Sequence, residues 1–315
     1  MRCIGVVTPD LAEDWASREL LEAANRLGIG LAVDPLSFCV NVDRKSSIVI
    51  QGKPAEAYDG FILRALNHEG EIDYQYEVFE LLAELGWKVI NHPRSLSIAE
   101  SKAQTTFYLR MAGLPVPRTT VTQNLSEALA AVKNYGTSVL KPLYGSHGVG
   151  IERVDSQSVN AEMISAFLES YGAVYIQEYV PNDGRDIRAF VVGDEVPAAI
   201  YRIAPLGQWK TNVYLGAECQ PCELTPKLRE ICIEAARVIG LDYTGVDIIV
   251  GPDGPMILEV NGTPTWQGLL NVTKRNVAED VVSHLIYLLD TNQPVRQPID
   301  INFLSSTFKV ERFAP

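Results

Sequence analysis

The chain has 315 residues, 47% of them hydrophobic and 21% charged, with a formal net charge of −12. That size holds two or three lobes with buried cores, and the acidic balance argues against a nucleic-acid backbone as the main partner. No apolar run approaches the ~18 residues of a membrane span, the run after Cys3 is too short for a signal peptide, and five cysteines without framework spacing suit a reducing cytoplasm.

Cys3 to Val7 reads as a short buried strand, and Trp15 to Leu27 as a helix with Leu20, Leu21, Ala24 and Leu27 on one face, stopped by Gly28. Phe61 to Arg64 is a second strand, Tyr74 to Leu85 a helix ending at Gly86, and Trp87 to Asn91 a third strand. Strands alternating with helices predict a parallel, doubly wound α/β sheet. No Gly-x-Gly-x-x-Gly follows the first strand, so the dinucleotide fingerprint is missing. Arg64, Asn67 and His68 follow a strand's carboxyl end, where such sheets place ligands, although ordinary loop residues would read the same way.

Ser97-Ile-Ala-Glu100 matches a capping box opening a helix to about Met111, with Gly113 and Pro115 ending it. Lys102 falls near the positive end of that helix, where a lysine gains nothing from the dipole. Holding an anion would explain it; a surface lysine is the plainer reading.

Pro115 and Pro117 mark a linker into a smaller α/β lobe, with a strand at Arg118 to Thr122, a helix at Ser126 to Tyr135 and a strand at Ser138 to Lys141. Lys141 then leads into a glycine-rich loop carrying Gly145, Ser146, Gly148 and Gly150. Glycines let backbone N–H groups approach phosphates, and the lysine adds a point charge. This is not Walker A, in which the lysine closes the loop. A helix around Ala161 to Glu169 and a strand at Val174 to Gln177 lead into Glu178-Tyr179-Val180-Pro181.

Next come a strand from Arg185 to Val192, a Gly193-Asp194 turn and a return strand through Arg202. Asp186, Arg188 and Arg202 bring both charge signs to this hairpin, for which a surface ion pair is the plain account. Trp209-Lys-Thr-Asn212 opens an irregular stretch to Cys222, whose Cys219-Gln-Pro-Cys222 lacks a second pair and reads as incidental. Thr225 and Pro226 start a helix striped by Leu228, Ile231, Cys232, Ala235, Val238 and Ile239, and Gly240 ends it. Val246 to Val250 and Met256 to Val260 flank the turn-rich Gly251 to Pro255, which predicts a hairpin. A symmetric register sets Asp247 opposite Glu259, with Asn261 on the same face. Two carboxylates and an amide oxygen gathered there suit a hard divalent cation, most simply Mg²⁺; an exposed polar face is the alternative. A last helix covers about Val277 to Leu289, and the tail to Pro315 is open to an edge strand.

In order, Lys102, Lys-Pro-x-x-Gly-Ser-x-Gly-x-Gly, Gln-Glu-Tyr-Val, Asp-Ile-Arg, Lys-Thr-Asn, Gly-Val-Asp and Glu-Val-Asn resemble an ATP-grasp ligase of the RimK-like glutamate-ligase branch over roughly Ser97 to Leu289. The resemblance implies three domains, an α/β domain at 1–96, a linker helix with the lid lobe at 97–182, and a C-terminal lobe at 183–315, with ATP clasped between the last two. It implies Lys102 and Lys141 on phosphates under the Gly145–Gly150 flap, Glu178 and the Tyr179 backbone at adenine, and Asp186 at the ribose side. Lys210, Thr211 and Asn212 would contact nucleotide, Arg202 the transferred phosphate, and Asp247, Glu259 and Asn261 Mg²⁺ or Mn²⁺. The implied reaction activates a carboxylate as an acyl phosphate, which an amine attacks; glutamate is the family's default amine, and a homo-oligomer is left open.

Two departures affect the substrate end. Leu215 stands where the family has an arginine, and Trp266 follows Asn261 where it has a Ser-Pro-Gly pattern. Trp266 could wall an aromatic or pterin-like acceptor pocket, or simply be core. Three functions stay open: a ligase acting on a small molecule or cofactor precursor, a ligase acting on a protein or peptide terminus, and a non-catalytic ATP-binding module.

Overall fold

A computed structural model of the chain describes residues 1–43, 46–145 and 149–301. The amino-terminal part is a parallel sheet in the order Ile29–Val33, Cys3–Val7, Gly60–Leu63, Lys88–Ile90. Its central strands are apolar on both faces, as parallel strands covered on both sides must be: Ile4, Val6, Val7, Phe61 and Ile62 have no exposed surface. Helix Trp15–Leu27 is capped by the Asp14 side chain, which accepts from Ser17 N–H. It ends at Gly28, but in an extended conformation (φ −171°) rather than a left-handed one. A Cβ there would lie 2.6 Å from the Arg2 carbonyl oxygen, so close approach, not backbone freedom, calls for glycine. Residues 34–57 include a small antiparallel sheet of Phe38–Asn41, Ser47–Ile50 and Lys53–Pro54. Phe38 anchors it edge-on to Phe79 at 4.9 Å.

The helix expected from Ser97 is two helices. Pro93–Glu100 starts earlier, with proline in its first turn, so Ser97 is an interior residue and caps nothing. Ser101 breaks the chain and caps Lys102–Met111, its hydroxyl accepting from Gln104 N–H at 3.3 Å. Lys102 is thus the first residue of a helix.

A second, antiparallel sheet follows in the order Glu152–Val154, Ser138–Lys141, Val174–Glu178, Thr119–Thr122. Helices Leu125–Tyr135 and Ala161–Tyr171 cover it and bury a small core of its own, including Val132, Leu140, Ile164, Phe167 and Ile176. The third sheet is antiparallel, in the order Glu218–Pro221, Glu195–Ile203, Arg185–Val192, Tyr243–Gly251, Gly254–Asn261. Helix Pro226–Ile239 packs against it and ends at Gly240 in the left-handed conformation, as its sequence predicts.

The amino-terminal and third sheets share their cores, and Asn91 ties them. Its side-chain oxygen accepts from Asp242 and Tyr243 N–H, and its Nδ2 donates to the Tyr243 and Gly262 carbonyls at 2.8 and 2.7 Å. Trp266 is 1% exposed, edge-on to Trp15 at 5.4 Å and Phe190 at 5.6 Å, with its indole N–H on Asn276 Oδ1. It is core, not the wall of an acceptor pocket. Leu215, its partner in that reading, sits 42% exposed in a 3-10 turn. The edge strand considered for the tail concerns residues mostly beyond 301, outside the described ones. No described helix is long and apolar enough to cross a membrane.

Candidate active site

The hairpin register decides the site. Asp247 pairs with Glu259 and Gly245 with Asn261. The route to that pairing differs from the symmetric one. The turn is tighter, with Gly251 opposite Gly254, and a bulge restores the register, because Asp247 pairs with Glu259 but Ile248 with Ile257. Leu258 is the extra residue, and both Leu258 and Glu259 line the cleft between the second and third sheets.

That cleft gathers Lys102, Lys141, Gly145, Glu178, Tyr179, Asp186, Arg202, Lys210, Thr211, Asn212, Asp247 and Glu259. Gly150 is not a lining residue; it takes φ +69°, with a Cβ position 2.5 Å from the Tyr171 hydroxyl. Asn261 is not in the lining either, and its Nδ2 donates to the Gly245 carbonyl at 3.2 Å. Ser146 and Gly148 lie outside the described residues.

Both lysines reach the cleft from the ends of elements. Lys102 Nζ donates to the Gly145 carbonyl at 2.8 Å, linking a helix start to the glycine-rich loop. Lys141, the last residue of its strand, donates to Gln177 Oε1 at 2.8 Å and lies 5.5 Å from the Tyr175 ring centre. Gln177 Nε2 in turn donates to the Tyr175 hydroxyl, which bonds Thr106 on the Lys102 helix. Burial pushes the Lys141 ammonium down to about 8, with Glu259 opposing and Lys102 adding to the shift. Burial also lowers Lys102, against Glu259.

Below the lysines lies a row of cross-strand charges. Asp186 is registered with Arg202, and Arg188 with Asp247. Arg202 is 7% exposed; its Nε and Nη2 donate to Asp186 at 2.8 and 2.5 Å, and Nη2 also pairs with Asp247 Oδ2 at 2.9 Å. Arg188 grips both oxygens of Asp247, and Thr211 donates to Asp186 at 2.6 Å. Burial disfavours every charge here. It keeps the Asp186 carboxyl above its usual range despite Arg202, whereas Arg188 and Arg202 overcome it at Asp247 and hold that carboxylate low. Burial likewise opposes Arg202, but Asp247 and Asp186 outweigh it and raise its pKa. The carboxylate of Asp186, expected at a ribose, is engaged by Arg202 and Thr211.

The cleft lining also has an apolar part, made of Val139, Ile151, Val180, Ile249 and Leu258 with the rings of Tyr179 and Trp209. Those two rings meet edge-on at 6.2 Å, and Arg153 lies over both. Tyr179 N–H is taken by the Thr137 carbonyl, and Glu178 forms a two-pronged pair with Arg118 at 2.6 and 2.8 Å. That arginine is the main cause of the lowered Glu178 pKa.

Oxygen donors alone make up the Asp247, Glu259 and Asn261 set, which fits a hard cation. Glu259 faces the cleft and has no hydrogen-bond or ion-pair partner among the described residues, whereas a cation would have to share Asp247 with Arg188 and Arg202. Among the described residues no three His, Cys, Asp or Glu gather as a metal cluster, so the amide of Asn261 would complete the set. Arg188, Gln177, Tyr175 and Arg118 were not among the predicted site residues. For Arg188 the signal was present: it alternates with Asp186 on one strand, which puts both on one face.

Residues 99–285 match the RimK-like ATP-grasp domain, more than half of the chain. The chain belongs to the RimK-like ATP-grasp family. It is an ATP-dependent ligase by that membership, and the family implies ATP with Mg²⁺. The tetrahydromethanopterin:alpha-L-glutamate ligase of Methanosarcina acetivorans is 32% identical over 92% of this chain and 100% of its own length. The enzyme of the same name from Methanocaldococcus jannaschii is 40% identical over 63% of this chain and 70% of its own. A probable alpha-L-glutamate ligase of Shewanella amazonensis is 30% identical over 90% and 94%. Among solved structures, the ATP-grasp ligase PsnB with its minimal precursor, Mg and ADP superposes with a TM-score of 0.74 at 22% identity, over 91% of this chain and 98% of that one, a likeness of fold.

Proposed function

We propose that this ligase joins L-glutamate, or a similar amino acid, through its amine to the carboxylate of a small-molecule or cofactor acceptor. The observation that carries it is the convergence in one cleft of Lys102 and Lys141 with the paired carboxylates Asp247 and Glu259. The full-length likeness to a tetrahydromethanopterin:alpha-L-glutamate ligase supports glutamate and a pterin-type acceptor. In this reading the division at 1–96, 97–182 and 183–315 holds, and the separate core of the second sheet supports a lid that moves as a unit. Five free cysteines support a cytoplasmic setting.

An acceptor carboxylate oxygen attacks the γ-phosphorus of ATP, ADP leaves, and the amine then displaces phosphate from the acyl carbon, losing a proton. Mg²⁺ or Mn²⁺ bound at Asp247, Glu259 and Asn261 would neutralise phosphate charge. Lys102 and Lys141 bind and orient the phosphates, and the apolar part with Tyr179 and Trp209 takes the purine face. Arg202 and Arg188 fix Asp247 in the cleft wall. No side-chain nucleophile is required. The test is product mass spectrometry after incubation with ATP, Mg²⁺, L-glutamate and a panel of reduced pterins, other carboxylate cofactors and short peptides. A mass gain of one glutamyl residue with release of ADP is expected; no ATP-dependent product with any amino acid would overturn the reading.

A further inference from the structure

At the carboxyl ends of the two central strands of the parallel sheet stand Thr8 and Arg64. Val7 and Leu63 are register partners, so Thr8 and Arg64 are the next pair across adjacent strands. Alternation puts them on the face of Ile4, Val6 and Ile62, against the start of helix Trp15–Leu27. The strand order of this sheet reverses direction of growth between these two strands, and open α/β sheets bind ligands outside the carboxyl ends at such a point.

Both side chains are more than nine-tenths buried, Thr8 at 4% and Arg64 at 6% exposure, yet Thr8 Oγ1 and Arg64 Nε have no hydrogen-bond partner. Leaving a buried donor unpaired is costly, the more so on a charged group. The nearest carboxylate, Asp14, stops 3.8 Å from Nε, because its oxygens are spent on Ser17 N–H and Oγ at the helix cap. Arg64 Nη1 donates to the Pro264 carbonyl at 3.0 Å. Pro264 is three residues beyond Asn261, a reach of at most about 10 Å, so the guanidinium stands within a substrate's length of the cation-binding hairpin. The neighbouring Pro9, Asp10, Ala12 and Glu13 are exposed, so this corner borders solvent.

We propose that Arg64 Nε and Thr8 Oγ1 together bind a non-reacting carboxylate of a substrate, and so hold the amino acid or the acceptor against the activated carbonyl. One carboxylate oxygen would accept from Nε–H and the other from the threonine hydroxyl, satisfying both unpaired groups and giving Nε the charge-assisted hydrogen bond that Asp14 is too far away to make. The inference rests on the ligase reading of the adjacent cleft.

The test is calorimetric binding to the full chain with ADP and Mg²⁺ present. L-glutamate probes the amine-bearing substrate, and N-acetyl-L-glutamate, its amine blocked, probes the acceptor side. Wild type should bind one of them. Arg64→Gln should weaken that binding about ten-fold or more and Thr8→Val about three- to ten-fold, both leaving ADP affinity unchanged. Thr8→Val should also melt no lower than wild type without ligand, since it removes a buried hydroxyl that has no partner; a structural threonine would instead lose stability. Should Arg64→Gln not fold, Thr8→Val decides alone. Wild type that binds neither carboxylate, or variants that bind it as tightly, overturn the site, and retained ADP binding then leaves the ligase reading standing. Failure of wild type to bind ADP would sink that reading and the inference with it.

Discussion

Lys141 carries a positive charge into a half-buried position, where desolvation has already lowered its pKa from 10.5 to about 8. Below about pH 8 the ammonium is charged and can hold a phosphate; above it the charge is lost, so ATP affinity should fall as pH rises from 7 to 9. Titrations of wild type and Lys141→Met check this, because the variant should bind ATP weakly and lose that step. The stability linkage has the opposite sign. The folded state releases this proton before the unfolded one does, so the group's contribution to stability rises with pH between about 8 and 10.5. Glu259 offers a second test at the same scale. It faces the cleft without a hydrogen-bond partner among the described residues, so Glu259→Gln should leave the fold intact while removing most Mg²⁺-dependent turnover. Undiminished turnover at ordinary Mg²⁺ would remove Glu259 from the metal site.

At the scale of elements, the bulge sets two residues, Leu258 and Glu259, against Asp247. Deleting Leu258 should leave a regular ladder in which Glu259 still pairs with Asp247 and Asn261 with Gly245, so both keep their face. Turnover should therefore survive the deletion, and its loss in a variant that circular dichroism shows folded would mean that the bulge itself shapes the site. The pairing of Asp247 with Glu259 was legible in the sequence because turn residues and period-two alternation are local signals. The tighter turn and the bulge were not, since a five-residue loop and a short turn plus bulge give the same pairing. Likewise Ser97-x-x-Glu100 and Ser101-x-x-Gln104 both match a helix start, and only Pro93, one turn earlier, favours the second. Trp266 shows the limit of reasoning by proximity in the chain. It follows the strand Gly254–Asn261 yet packs on Trp15 and Phe190, so Trp266→Ala should cost about 3–5 kcal/mol of stability. A denaturant titration measures that loss, and a selective rise in the acceptor's KM with unchanged stability would contradict it.

Across the whole molecule, the order of sheets and most of the cleft were readable from ordered motifs, whereas the burial of Arg202 between Asp186 and Asp247 and the four bonds of Asn91 depend on contacts between distant segments. Those long-range contacts are unevenly shared among the sheets. The amino-terminal and third sheets share cores that mix Ile4 with Val281 and Val7 with Ile231, while the second sheet keeps a small core to itself. Polar ties from that sheet to the Lys102 helix include Lys102 to Gly145 and Tyr175 to Thr106. A unit with few buried apolar contacts to its neighbours opens at lower free energy than the body it rests on. Nucleotide in the cleft would touch Lys141 and Tyr179 on one side and Asp247 and Lys210 on the other, so its binding energy should couple the two. Hydrogen exchange should therefore be faster in Ser138–Lys141 and Val174–Glu178 than in Tyr243–Gly251 without ligand. ADP with Mg²⁺ should slow the first two strands most. Equal exchange in all three before ligand, or protection confined to the third sheet after it, would mean that the second sheet is not an independently opening lid.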